Sequence, residues 1–282
     1  MGIQETRTKA WAEYRERLNW STISDTIDKL AEEKGGVPSF ELETARKCVF
    51  HALERWLAED LDNCTIEAVE EPFEDVFKRG VVDVILRIKP DPTDAVYQPH
   101  ANQLQVLDWK TTKNTLGSDW RDRYIYSWQG PTYVDGIARK YSLTPTLFQY
   151  RGISRSFDVK PVLLEVSNPA PSVEAQYGGL RVMRDALISA GLSVWPKNMP
   201  FGCKAYGGEC AYFHDCTHDK EPRYVPEAKI FSFSGASTFL LCPEKYRRNM
   251  VDGSQDSEES IFGNLVHVGL AEAYKQAKEW RN

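Results

Sequence analysis

Two short apolar runs constrain this chain more than any other feature, because each carries a carboxylate where a sheet interior tolerates none cheaply. Val81-Val82-Asp83-Val84-Ile85-Leu86 sets Asp83 inside a strand pattern, and Leu104 to Leu107 runs directly into Asp108-Trp109-Lys110-Thr111-Thr112. Residues i and i+2 of a strand share a face, so Asp108 and Lys110 point into one cleft. A carboxylate in an otherwise buried strand is costly unless it is paired or bound to metal. Two acids and a lysine on adjacent strands suit a divalent-metal site, Mg²⁺ or Mn²⁺, that cuts phosphodiesters. There the metal acidifies a water and the lysine steadies the attacking water and the transition state. The bland alternative is an ordinary half-exposed strand. A lone D-x-K tripeptide does not separate the two readings; Asp83 as a partner acid does.

At 282 residues the chain has room for one large domain or two small ones, and 41% hydrophobic content is ample for a core. The net charge of −6 argues against indiscriminate coating of nucleic acid while leaving room for a local basic groove. No apolar run approaches a membrane span and no export signal is recognised, so a soluble, cytoplasmic protein without a membrane partner is expected. Three of the six cysteines, Cys203, Cys210 and Cys216, crowd into fourteen residues, a density typical of a metal or cluster site. Cys48 and Cys64 fall in helix or strand patterns and read as core thiols.

The first sixty residues read as helices, with Val49, Leu53, Trp56 and Leu57 at helical spacing within Ala45 to Leu61. Strands follow from Thr65 to Ile88, interrupted at Glu70-Glu71-Pro72, and again from Leu104 to Trp109. Ser127 to Tyr141 reads as a helix with Pro131 in its first turn. Thr146 to Tyr150 and Val159 to Val166 read as paired strands, and Val173 to Ala190 as a helix. After the cysteines, residues 219–229 resemble a linker, and 230–282 reads as helix, loop, helix with a polar, mobile middle. The expected organisation is therefore one α/β domain: residues 1–218, the linker, and a tail that completes the same domain. Within it, Trp120-Arg121-Asp122-Arg123-Tyr124-Ile125-Tyr126-Ser127-Trp128 interleaves arginines with aromatics. Arg121, Arg123, Tyr124 and Trp128 either grip phosphates and stack bases or form a loop that packs on the core.

Gly80-Val81-Val82-Asp83, Asp108-Trp109-Lys110-Thr111-Thr112 and Gln129-Gly130-Pro131-Thr132-Tyr133 resemble, in this order, the motifs of RecB-family nucleases in the PD-(D/E)XK superfamily. The resemblance implies a restriction-endonuclease-like fold with a central mixed sheet flanked by helices. It implies Asp83 and Asp108 as metal ligands, joined by the Trp109 carbonyl, and Lys110 as the catalytic lysine. Gln129 and Tyr133, one helical turn apart, orient the lysine region or touch DNA. Two further motifs of such nucleases lie near the end of this chain instead of the beginning. They are Ser232-Phe233-Ser234 through Phe239, Cys242-Pro243 and Tyr246-Arg247, and then Gly263-Asn264-Leu265-Val266-His267. His267, which carries the expected glycine four residues earlier, is preferred to His51 as the metal-side histidine. Joining Asn282 to Met1 restores the order, so a circular permutation is expected. A tandem copy serving a neighbouring chain by swapping is the rival.

Cys203, Cys210 and Cys216, with Cys242 as fourth ligand, resemble the cysteine set of the iron–sulfur subgroup and imply a [4Fe–4S] cluster stapling the two ends of the domain. Zinc, with Cys242, His214 or His218 completing the set, is the alternative. The expected activity is metal-dependent DNA cleavage, exonucleolytic on DNA with single-stranded ends and in company with recombination or replication proteins. The competing classes are a weakly catalytic DNA-binding partner in recombination or CRISPR adaptation and a zinc-bearing interaction protein.

Overall fold

A computed structural model describes residues 11–76, 78–165, 170–190, 231–252 and 258–280. The chain divides into two compact units: Met1–Phe73 with Val81–Asn168 and Asp256–Asn282, and Glu74–Gly80 with Pro169–Gln255. The 219–229 linker expected from sequence lies outside the described residues, as does most of the polar stretch between residues 252 and 259.

In the first unit, helical residues 11–17 lead to α1 (Trp20–Glu33) and α2 (Ser39–Asn63). Strands β1 (Cys64–Glu74), β2 (Lys78–Ile88) and β3 (Leu104–Thr112) follow, with Glu74 and the first three residues of β2 counted in the second unit. Then come α3 (Ser118–Ile125), α4 (Gln129–Tyr141), β4 (Leu147–Ser154) and β5 (Val159–Glu165). The sheet order is β1-β2-β3-β4-β5. It is mixed: β2 and β3 are antiparallel, β3 and β4 parallel, β4 and β5 antiparallel. The architecture is thus α/β, a mixed sheet flanked by helices.

Alternation along the strands divides the core into two layers. Val84, Leu86, Leu107 and Trp109 face a layer built from α1, α2 and the last helix of the chain. Ile85, Val106, Phe148 and Tyr150 face a second layer with Val134 and Ile137 of α4 and Trp120 of α3. α2 forms because Ala45, Cys48, Val49, Ala52, Leu53, Trp56, Leu57 and Leu61 recur at helical spacing and are all buried. The last helix, which follows α5 to α7 of the second unit and is labelled α8 (Glu258–Glu279), starts on Glu258 and Glu259 and carries Lys278 in its last turn. Both ends therefore complement the helix dipole. Gly269 lets this helix lie close: a Cβ there would stand 2.8 Å from Val49 and 2.9 Å from Ile27.

Two expectations change. Glu70-Glu71-Pro72 does not break the strand: β1 runs through it, with Glu70 alone turned into the left-handed region (φ 52°). Residues 118–125 form a helix that the sequence reading did not anticipate, because only Trp120 of its eight residues is buried and no apolar stripe announces it.

The second unit contains α5 (Ala170–Ser189), β6 (Phe231–Ser232), α6 (Phe233–Leu241) and α7 (Pro243–Asp252). Lys78 and Arg79 pair in parallel with Phe231 and Ser232. Phe231, Phe239 and Tyr246 make a three-ring cluster with centroids 5.3–5.7 Å apart. The Arg184 guanidinium covers Phe231 at 4.9 Å. No helix among the described residues is long and apolar enough to cross a membrane.

Candidate active site at a strand fork

The β2–β3 ladder pairs Arg87 with Leu104, and its register continues to Val84 and Leu107. The next residues on the two strands are Asp83 and Asp108. From that point β3 stays paired with β4 as far as Thr112 and Ser154. The acids thus stand where β2 parts from β3, and the peptide N–H of Trp109, two residues beyond the ladder on β3, needs another acceptor. Asp83 Oδ2 supplies it, accepting from Trp109 N at 2.6 Å. The same fork that exposes backbone also seats the carboxylate.

Asp108 is buried and held on both oxygens. Oδ1 accepts from Gln129 Nε2 at 3.2 Å, and Oδ2 pairs with Lys110 Nζ at 2.5 Å. The period-two expectation that Asp108 and Lys110 share a face is met in this ion pair. Tyr133, one turn beyond Gln129, hydrogen-bonds the Gln129 side chain and packs its ring against Phe73 and Phe148.

His267 arrives from the other end of the sequence on α8. Its Nδ1 lies 3.8 Å from Asp83 Oδ1, and its ring packs edge-on against Trp109 with centroids 5.9 Å apart. The imidazole is also hydrogen-bonded to the Trp109 backbone. Gly263 explains how the helix approaches so closely: the one atom a Cβ there would meet is Thr111 Oγ1, at 2.8 Å. His51 does not take part; it pairs with Glu54 at 3.5 Å and packs on Phe157.

The electrostatics follow from burial. Desolvation pushes both Asp83 and Asp108 up to about 6, against the pull of the Lys110 ammonium, and each carboxylate sits in the field of its neighbours. Burial alone would lower Lys110, but Asp108 and Asp83 outweigh it and hold the ammonium charged. Burial and Lys110 together lower His267 to about 4, so its imidazole is neutral at pH 7. Two carboxylates balanced by one ammonium leave a residual negative charge, and a neutral imidazole lies beside them. That donor chemistry suits a hard divalent cation. Among the described residues, however, no three Asp, Glu, His or Cys side chains already stand as a closed ligand set. Lys110 holds the oxygen of Asp108 that such a cation would share.

The remaining expected residues are distributed as follows. Arg121 and Arg123 are exposed on α3. Tyr124 packs inward, its ring 4.8 Å from Tyr150 and 5.0 Å from Trp120. Trp128 is half-buried at the start of α4. The aromatic facing solvent here is Tyr126, 84% exposed, which the sequence reading did not single out. Cys203, Cys210, Cys216, His214 and His218 lie outside the described residues. Cys242 is buried at the end of α6. Cys48 and Cys64 are buried thiols, with desolvation pushing Cys48 up to about 12 and raising Cys64 further.

Compared with known proteins, the chain matches no family model and no curated protein.

Proposed function

We propose that this protein is a metal-dependent deoxyribonuclease of the PD-(D/E)XK type, with its motifs in circularly permuted order. The observation that carries the reading is the meeting, at one fork in the sheet, of Asp83, Asp108, Lys110 and His267 from three remote parts of the sequence. Structural acids in a sheet need only a partner; this set adds an ammonium and a neutral imidazole on the same few ångströms of strand. The permuted order asks that the histidine helix of the same chain reach Asp83, and α8 does so.

Asp83, Asp108 and His267 would hold Mg²⁺ or Mn²⁺, with the Trp109 carbonyl nearby. Such an ion, when bound, polarises the scissile phosphate and acidifies a water. Lys110 carries a fixed positive charge that stabilises the charge developing on the phosphate. Gln129 fixes the Asp108 carboxylate, and Tyr133 braces Gln129. Arg121 and Arg123, exposed on α3, would attract the phosphodiester backbone, which supplies affinity without sequence preference. In the second unit, Cys242 with Cys203, Cys210 and Cys216 is assigned to a [4Fe–4S] cluster; visible absorbance in anaerobically purified protein, together with iron analysis against zinc, checks it.

The test is digestion of 5′- and 3′-labelled single- and double-stranded DNA with Mg²⁺ or Mn²⁺. Cleavage is expected with metal, and none with EDTA or in folded Lys110→Ala and Asp108→Ala variants. Full activity in either variant overturns the assignment.

A further inference from the structure

The first turn of α4 has no cap of its own. Trp128 occupies the N-cap position, and its side chain does not cap the helix. The opening N–H groups of a helix lack intrahelical partners, and a buried helix start needs acceptors from elsewhere. Two hydroxyls supply them here. Ser127 Oγ accepts from Gln129 N at 3.2 Å. Tyr150 Oη, reaching up from β4, accepts from Gly130 N at 2.9 Å and is hydrogen-bonded to the Ser127 side chain as well. Tyr150 is fully buried, and it stands directly beside Asp108 in the parallel register of β3 and β4. Its ring is clamped between Phe148 at 4.7 Å and Tyr124 at 4.8 Å. Gly130 belongs to the same device: a Cβ there would stand 3.3 Å from Phe148 and 3.5 Å from the Tyr150 hydroxyl, so glycine permits the close approach.

We propose that Tyr150 is a positioning residue for the site: its hydroxyl, bound to Gly130 N and Ser127, pins the first turn of α4 so that Gln129 holds Asp108 in place. The chain of contacts is short. Tyr150 fixes Gly130, the neighbouring Gln129 donates to Asp108 Oδ1, and the opposite oxygen of Asp108 meets Lys110. Tyr150 touches neither nucleic acid nor metal in this scheme; it acts through Gln129. A small displacement of the glutamine lets the carboxylate turn, and misplacements of about an ångström in a reacting set cost up to roughly 10²-fold in rate.

The role rests on the nuclease reading, so the experiment has one arm that needs no activity. Tyr150→Phe keeps the ring and its packing and deletes only the hydroxyl. On single-stranded DNA with Mn²⁺, kcat is expected to fall by roughly ten- to a hundredfold with KM within about twofold. In a Gln129→Ala background the same change is expected to add nothing, because both substitutions break one linkage. A merely structural tyrosine gives a loss that multiplies with that of Gln129→Ala. Amide exchange of Gly130, measured without metal or DNA, is expected to rise at least about tenfold in Tyr150→Phe while the β3 amides stay protected.

Unchanged kcat, or losses that multiply, overturn the positioning role. If the wild-type protein shows no cleavage, the nuclease reading falls, and Gly130 exchange alone decides whether Tyr150 pins α4; unchanged exchange overturns it. Should Tyr150→Phe fail to fold, Ser127→Ala removes the other arm of the same cap, with the same kcat and exchange outcomes supporting or overturning the role.

Discussion

The sheet behind the fork contains a wholly buried ion pair whose disruption tests how α8 is held. Arg151 of β4 donates to both oxygens of Asp60 in α2 at 2.6 Å, to Gln149 Oε1 at 2.6 Å and to the Tyr274 hydroxyl of α8 at 2.9 Å. The Tyr274 hydroxyl donates in turn to Asp60. Side-chain exposure is 1% for Arg151 and 0% for Asp60, and the guanidinium also covers Trp56 at 5.0 Å. With solvent excluded, removing one charge strands the other. Asp60→Ala is therefore expected to cost about 3–5 kcal/mol. Tyr274→Phe, which loses a hydroxyl bound to two charged groups, is expected to cost about 1.5–3 kcal/mol. Asp60→Leu combined with Arg151→Met removes both charges at once and is expected to be far cheaper than the two single losses together, near neutral or stabilising.

Urea unfolding followed by tryptophan fluorescence measures these differences, since Trp56 and Trp109 both pack on the network. Because the chain has two units, the transition to follow is the one that Asp60→Ala shifts. A cost below about 1 kcal/mol for Asp60→Ala, or a double variant that loses the sum of both singles, refutes the claim that a desolvated ion pair ties α2, β4 and α8 together. The consequence for the site is direct. The Tyr274 ring packs against Trp109 at 5.4 Å, and Trp109 carries the contacts to Asp83 and His267.

Gly263→Ala adds helix propensity worth at most about 1 kcal/mol, yet pushes Thr111 Oγ1 from 2.8 Å. Stability near wild type is expected, with a nuclease rate lowered about tenfold and recovered by adding Thr111→Ala; full activity in the single variant refutes the close-approach argument. The pH dependence of stability has a definite sign. With a folded value near 6 against 3.8 in the unfolded chain, Asp108 binds a proton more readily when folded, so its contribution to stability rises as pH falls. In chelator-treated protein, the stability of wild type relative to Asp108→Asn is expected to improve by about 1 kcal/mol between about pH 7.5 and 5. A difference that stays flat across that window contradicts the burial reading. His267 pulls the other way, since its folded value near 4 costs stability as the unfolded chain protonates below 6.5.

The features legible in the sequence were those with a period. Alternation put Asp108 and Lys110 on one face, and three-four spacing marked α2 and the Gln129–Tyr133 turn of α4. The glycine four residues before His267 also has a physical meaning, because it is where α8 meets Thr111. What stayed hidden depends on contacts that no local pattern encodes. Residues 118–125 look like a loop because charged and aromatic residues alternate without a stripe; they are helical because Trp120 lies on Gly152, where any Cβ would collide at 2.3 Å. Tyr150 reads as the last residue of an ordinary strand, and Arg151 falls just beyond it, though β4 runs on to Ser154. Their roles appear only when β4 is set parallel to β3 and two helices close over opposite faces.

The fork itself accounts for why these residues and not others form the candidate site. A continuous β2–β3 ladder would consume the Trp109 N–H and leave no reason for a carboxylate there. Ending the ladder after Val84 and Leu107 frees that donor, and Asp83 answers it. The other three carboxylate oxygens then face inward: Asp108 toward Gln129 and Lys110, and Asp83 Oδ1 toward an imidazole 3.8 Å away, too far for a direct hydrogen bond. Asp83 Oδ2 and Asp108 Oδ1 are held by hydrogen bonds, whereas Asp108 Oδ2 is met by the Lys110 ammonium without an aligned hydrogen bond. On the proposed reading, a cation entering the fork would satisfy that oxygen together with Asp83 Oδ1, beside a neutral imidazole.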